Sequence, residues 1–192
     1  LTHCRNLNRW VSEFSKDEIS IAFASSDYSE PASIFGHTFL VLSSSLNDNP
    51  LQGYAVNYAA NFDDQENSLG YLINGVIGGY QGAVVVSPLH KKIKEYTINN
   101  QRDIYFFKLD LSTDQIMSII YQLWEKKFSK YNYLFISENC SYMILRMLQA
   151  TSPEIVIPSG LFNQIIPFET IKSLNNAGLI RSTSIIESSL KQ

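Results

Sequence analysis

The sequence predicts a single α+β domain with an antiparallel sheet packed against helices. Helical periodicities and alternating strands are interspersed along the chain, which is the pattern of a mixed fold. The strand candidates at 34–42 and 54–60 are joined by a short turn-rich stretch, as antiparallel neighbours are. No internal repeat or low-complexity linker divides the 192 residues, a length that suits one domain with a substantial core.

Asn6–Lys16 is expected to be helical, with Leu7, Trp10, Val11 and Phe14 at helical spacing. Ile19–Ala24 is a short apolar strand, followed by a Ser/Asp/Pro-rich loop over 25–33. Ile34–Leu42 is expected to be a strand with His37, Phe39 and Val41 on one face. After the turn at 43–53 comes its partner, 54–60, with Ala55, Asn57 and Ala59 on the face opposite Tyr54, Val56 and Tyr58. Five glycines between Gly70 and Gly82 predict an irregular segment over the core. Ala83–Val86 is a short strand, and Ser87-Pro88 predicts the capped start of a helix to about Tyr96. Ile104–Leu109 is a further strand. Ser112 and Gln115 form a capping-box pattern ahead of the apolar stripe Ile116, Ile119, Ile120 and Leu123. A strong helix is expected from Cys140 to Ala150, and a short one ending near Gly178.

The charge balance narrows the partners. A net charge of −3 argues against nucleic acid or anionic lipid held by bulk charge. No apolar run approaches the roughly 20 residues that span a bilayer, so no membrane anchor is expected within the chain. It opens on Leu1, and the expectation is that a preceding segment was removed. The two cysteines, Cys4 and Cys140, are too few for a disulfide framework; a single bridge and a working thiol are both open readings.

Cys140 is the first candidate for chemistry. A thiol in the first turn of a helix meets the positive end of the macrodipole and free backbone N–H groups, which lower its pKa and can receive an oxyanion. The bland alternative is a small core hydrophobe. His37, beside Gly36, is the histidine on a rigid element; His3 is near a terminus and His90 shares a helix face with Lys91, Lys92 and Lys94. A third group should orient the imidazole. Asn57 on the neighbouring strand is the first choice, with Asp27, Asp63 and Glu138 as rivals. No metal-ligand or phosphate-binding pattern is present, so neither metal nor cofactor is expected.

Several runs then resemble one bacterial family, the Lnb N-terminal periplasmic domain. They are Phe23-Ala24-Ser25-Ser26-Asp27, the stretch from Pro31 to Leu40 around Phe35-Gly36-His37-Thr38, Asn57-Tyr58-Ala59-Ala60, Gly78-Gly79-Tyr80-Gln81-Gly82, and Glu138-Asn139-Cys140-Ser141-Tyr142. Cys4-Arg5 resembles the start of the family's first helix. The resemblance covers about 4–150, with 151–192 as a C-terminal extension of the same domain. It implies a circularly permuted papain-like (NlpC-type) fold, with the histidine and asparagine strands first and the cysteine helix last. That layout is similar to lecithin:retinol acyltransferase-like enzymes. It also implies a periplasmic or otherwise exported location, and acyl transfer from phospholipid to a lipoprotein N-terminus through a cysteine thioester. No counterpart of the transmembrane part of those relatives is expected within these 192 residues.

The expected mechanism makes Cys140 the nucleophile, His37 its base and Asn57 the orienting group. Ser25, Ser26, Ser33, Asn139, Tyr58 and Tyr80 are candidates for oxyanion or substrate contacts, with Tyr71 and Tyr80 walling an acyl chain. The implied partners are phospholipid and a lipoprotein or peptide, with peripheral membrane contact. The alternatives are a thiol peptidase or amidase acting on cell-wall peptide, and a non-catalytic binding domain.

Overall fold

The computed structural model describes residues 5–26, 34–44, 53–61, 80–127, 129, 131–134, 139–157 and 166–191. The elements in chain order are α1 (Arg5–Glu13), β1 (Glu18–Ala24), β2 (His37–Ser43), β3 (Tyr54–Asn61) and β4 (Tyr80–Pro88). They continue with α2 (Leu89–Lys94, extended by a π turn over Glu95–Asn99), β5 (Ile104–Leu109), α3 (Thr113–Lys127) and β6 (Tyr131–Tyr133). The last are α4 (Cys140–Gln149), α5 (Pro167–Asn176) and β7 (Ile180–Ile186). The strands form one seven-stranded sheet in the order β6-β4-β3-β2-β1-β5-β7, every pairing antiparallel. The chain is thus a mixed helix-and-strand domain built on an antiparallel sheet.

Strand alternation divides the core into two layers. Ile19, Ile21, Leu40, Leu42 and Val56 pack with the stripes of α3 and α4. The intervening residues Ala22, Phe39, Val41 and Ala55 pack with Leu89, Ile93 and Tyr96 from α2 and its π turn. Each buried Leu or Ile contributes about 1.5–3 kcal/mol. Ile144, Leu145 and Leu148, at most 2% exposed, therefore pin α4 firmly against the sheet. The α3 start has the expected reciprocal cap: the Ser112 N–H donates to Gln115 Oε1 (2.8 Å) and the Gln115 N–H to Ser112 Oγ (3.3 Å). Trp10 on α1 packs edge-on against Phe14 and meets Trp124 of α3 at 5.8 Å.

Four local expectations are corrected. Strand β2 begins at His37, three residues later than Ile34, because Gly36 sits at φ +82° in a conformation that breaks an extended run. Ser87-Pro88 does not cap a helix. Both residues remain in β4, paired with Ala55 and Tyr54, and the Leu89 N–H donates instead to the Gly53 carbonyl (2.9 Å). Strand β4 runs from Tyr80 to Pro88, longer than Ala83–Val86, because β3 offers pairing along its whole length. Strands β6 and β7 were not anticipated. The latter is exposed from Arg181 to Ile185 and so lacks the buried alternation that marks a strand. The 27–33 loop, the 45–52 turn and the 62–79 glycine segment lie outside the described residues.

The turn at Gly36 is tightly enclosed. A Cβ there would come 2.6 Å from the Phe23 ring and 2.8 Å from the Ala24 carbonyl oxygen. Gly36→Ala is expected to destabilise the domain by about 2–3 kcal/mol, from left-handed strain plus a clash with rigid backbone. Chemical denaturation checks this, and a variant as stable as the parent would show that the turn relaxes without glycine.

Candidate active site

Helix α4 starts at Cys140 because Asn139 caps it. Asn139 has extended backbone (φ −99°, ψ −172°), and its Oδ1 accepts hydrogen bonds from the N–H groups of Ser141 (3.0 Å) and Tyr142 (3.2 Å). This places Cys140 in the first turn, buried at 4% exposure and a free thiol. Cys4 lies outside the described residues.

His37 is the first residue of β2. Alternation turns Thr38 toward α4, whereas His37 shares a face with Phe39. The half-buried imidazole meets the thiol at the end of the strand. Its Nε2 lies 3.2 Å from Asn57 Oδ1, and its other side hydrogen-bonds the Cys140 side chain. An amide oxygen can only accept, so Nε2 carries the proton and donates to Asn57. Nδ1 is then left to exchange a proton with sulfur. The structure therefore brings together Cys140, His37 and Asn57 from α4, β2 and β3. Asn57 is 4% exposed, and its Nδ2 has no hydrogen-bond partner among the described residues.

The electrostatics make the pair cooperative. Burial pushes the Cys140 thiol up, but the His37 charge, a hydrogen bond to its ring and two hydrogen bonds from Thr38 outweigh it and bring the thiol down to about 6. Burial pulls the His37 imidazole down, yet the Cys140 charge and hydrogen bonds to Cys140 and Asn57 leave it raised, against the opposing charge of Arg102. A lowered thiol beside a raised imidazole is a pair in which each charged form stabilises the other, thiolate against imidazolium.

Residues that the sequence did not single out hold this pair. Phe39 and Tyr96 stack behind the imidazole, with ring centroids 6.1 Å and 6.3 Å from it. The Arg102 guanidinium lies 5.0 Å over Tyr96 and donates to the Ser25 and Ala24 carbonyls. Thr38 Oγ1 donates to Cys140 Sγ (3.7 Å) and lies 3.0 Å from Ser141 Oγ. Thr38 and Ser141 were signalled only by their places next to His37 and Cys140. Nothing in the sequence distinguishes Arg102 from an ordinary surface cation.

The other candidates are dispersed. Ser25 follows β1, its hydroxyl oxygen accepting from the Asp103 N–H (3.2 Å), and Ser26 beside it is exposed. Tyr58 is buried on the face away from Asn57, its ring over Gly82, where a Cβ would come 2.2 Å from the phenol oxygen. Tyr80 opens β4; its side chain, like Ser33, Asp27, Asp63, Tyr71 and Glu138, falls outside the described residues. His90 is exposed on α2. Among the described residues no helix is long and apolar enough to cross a membrane.

Comparison with known proteins adds a family. The family model described as the Lnb N-terminal periplasmic domain matches residues 6–177, continuing past Ala150 through α5. No curated protein and no solved structure matches the chain. With most of its length matched, and with a periplasmic location carried by the family's description, the chain belongs to the bacterial Lnb N-terminal periplasmic domain family.

Proposed function

We propose that this domain catalyses cysteine-dependent acyl transfer through a thioester on Cys140, on a permuted papain-like fold. The observation that carries the reading is the His37 ring held between the Cys140 thiol and Asn57 Oδ1 at the capped start of α4. The chain order His37, Asn57, Cys140 is the permutation that the family resemblance implies.

The chemistry follows from the atoms in place. The thiol proton passes to His37 Nδ1, and Sγ attacks the carbonyl carbon of an ester. Asn139 Oδ1 occupies the Ser141 and Tyr142 N–H groups, so the backbone donor to the developing oxyanion is the N–H of Cys140. As the carbon–oxygen bond breaks, His37 returns its proton to the departing alcohol, leaving a thioester. An amine or water then attacks, His37 takes its proton, and collapse releases the acyl product and restores the thiol. Asn57 keeps the proton on Nε2 throughout, so Nδ1 always faces the reaction.

An apolar acyl donor is favoured over a peptide by the residues next to the dyad. Ile34 and Phe35 precede His37 by three and two positions and stand 40% and 58% exposed, large apolar side chains presented to solvent close to His37 in the chain, where a peptide-binding segment would offer polar groups. This supports a phospholipid donor and a lipoprotein or other amine acceptor, met at the membrane surface.

The test is intact mass after incubation with phospholipid vesicles. The expected product is one fatty-acyl increment, mapped to Cys140 and removed by hydroxylamine, as a thioester is. Cleavage of cell-wall peptide with no acyl adduct would replace this reading with a thiol peptidase. A thiol inert to iodoacetamide would replace it with a binding domain.

A further inference from the structure

The Cys140 sulfur has hydrogen-bonding neighbours besides the imidazole. Thr38 Oγ1 donates to Sγ at 3.7 Å, and Ser141 Oγ lies 3.0 Å from Thr38 Oγ1 and 3.9 Å from Sγ. Both hydroxyls belong to fully buried residues. Thr38 comes from the sheet and Ser141 from the helix, so the three atoms sit at the joint between β2 and α4. A hydroxyl has one proton to give. If Thr38 gives its own to sulfur, its oxygen is satisfied by the Ser141 proton, and the chain runs Ser141 to Thr38 to Sγ. Buried charge without such partners is costly, and hydrogen bonds in series polarise one another.

We infer that Thr38 is a catalytic residue that holds the Cys140 thiolate by its hydroxyl, with Ser141 as the positioning residue that aims that hydroxyl at sulfur. The inference rests on the acyl-transfer reading and deepens it. No proton moves along the chain: the thiol proton goes to His37, and the Thr38 and Ser141 protons stay on their own oxygens. The pair supplies, at a sulfur whose residue is only 4% exposed, the stabilisation that water gives an exposed thiolate. When the sulfur becomes a thioester it carries no charge and accepts weakly, so Thr38 turns its proton to Ser141. The same two side chains therefore favour the thiolate over the acylated sulfur.

The experiment follows iodoacetamide labelling of Cys140 against pH, with no substrate required, in the parent, Thr38→Val, Thr38→Ser and Ser141→Ala. The parent midpoint is expected at about 6. Thr38→Val keeps the shape but not the hydroxyl, and its midpoint should rise by about one unit, giving roughly tenfold less thiolate on the acid side. Thr38→Ser should restore the parent midpoint, and Ser141→Ala should shift it the same way as Thr38→Val but less. Parent midpoints in both Thr38→Val and Ser141→Ala overturn the inference, as does a Thr38→Ser protein that behaves like Thr38→Val. Should Thr38→Val fail to fold by circular dichroism, Ser141→Ala decides alone, and an unshifted midpoint there overturns it. A parent protein whose thiol titrates at the ordinary value of about 8.5 overturns the acyl-transfer reading itself, a result distinct from these.

Discussion

Cys140→Ser is expected to abolish thioester formation while leaving the fold intact. The change exchanges one atom at a helix start that is already fixed by Asn139 below it and by Ile144, Leu145 and Leu148 beyond it. The serine hydroxyl fits the same contacts with Thr38 and His37, so stability should change by no more than about 1 kcal/mol. Chemistry is another matter. The site has a thiol brought down to about 6, and an alcohol lies many units higher, so the variant has no ready-made anionic nucleophile and its hydroxyl would need general-base help during attack. The loss should reach at least about 10⁴-fold, as for removal of other nucleophiles that act as a unit with their base. Initial rates of acyl adduct formation, with thermal denaturation as the folding control, check this. A Cys140→Ser protein that folds and turns over like the parent would assign the chemistry to another residue.

His37→Ala is expected to lose about 10³-fold or more in turnover, for two reasons that can be separated. The base is gone, and so is the positive charge that holds the thiol down. Burial is the largest influence on Cys140 and acts upward. Without the imidazole, the labelling midpoint should therefore climb from about 6 toward the ordinary thiol range. Slow alkylation should persist, because Thr38 and the helix terminus still favour the thiolate. Asn57→Ala should cost less, about 10- to 100-fold, since stacking on Phe39 and Tyr96 still restrains the ring. Combining His37→Ala with Cys140→Ser should cost little more than either alone. Full additivity of the two losses would separate the residues into different mechanisms, and an unmoved midpoint in His37→Ala would break the link between imidazole and thiol.

The pH response of turnover has a definite sign. Turnover is expected to rise as pH passes upward through the thiol value of about 6, because the proposed nucleophile is protonated below it. At higher pH it is expected to fall again, as the raised imidazole loses the proton that the leaving alcohol needs, and initial rates of acyl adduct formation against pH check both limbs.

Much of this architecture was legible one element at a time. Ile116, Ile119, Ile120 and Leu123 fall at helical spacing because one face of α3 must cover the sheet. Ser112 and Gln115 announce its start because their side chains satisfy N–H groups only a few residues away. The helix from Cys140 was legible for the same reason, and so were the apolar cores of β1 and β5. Where tertiary pairing overrides local preference, the reading failed. Strand β7, Arg-Ser-Thr-Ser between isoleucines, is a strand because β5 offers it an edge, and its exposed side chains carry no trace of that. Ser87-Pro88 has the local chemistry of a cap but is held in β4 by β3.

The site divides along the same line. The sequence by itself determined which side chains would be candidates: a thiol at a helix start, a histidine next to glycine and an asparagine on the neighbouring strand. Local backbone rules govern all three placements, so a linear reading finds them. Only the tertiary structure decided what surrounds them. Thr38 reaches sulfur because β2 starts at His37 and alternation turns the next residue toward α4. Tyr96 and Arg102 stand behind the imidazole because a π turn and the start of β5 fold back over β2. These contacts join residues far apart in the chain, at distances set by sheet register and layer packing, and neither quantity is encoded in the spacing of residues along it.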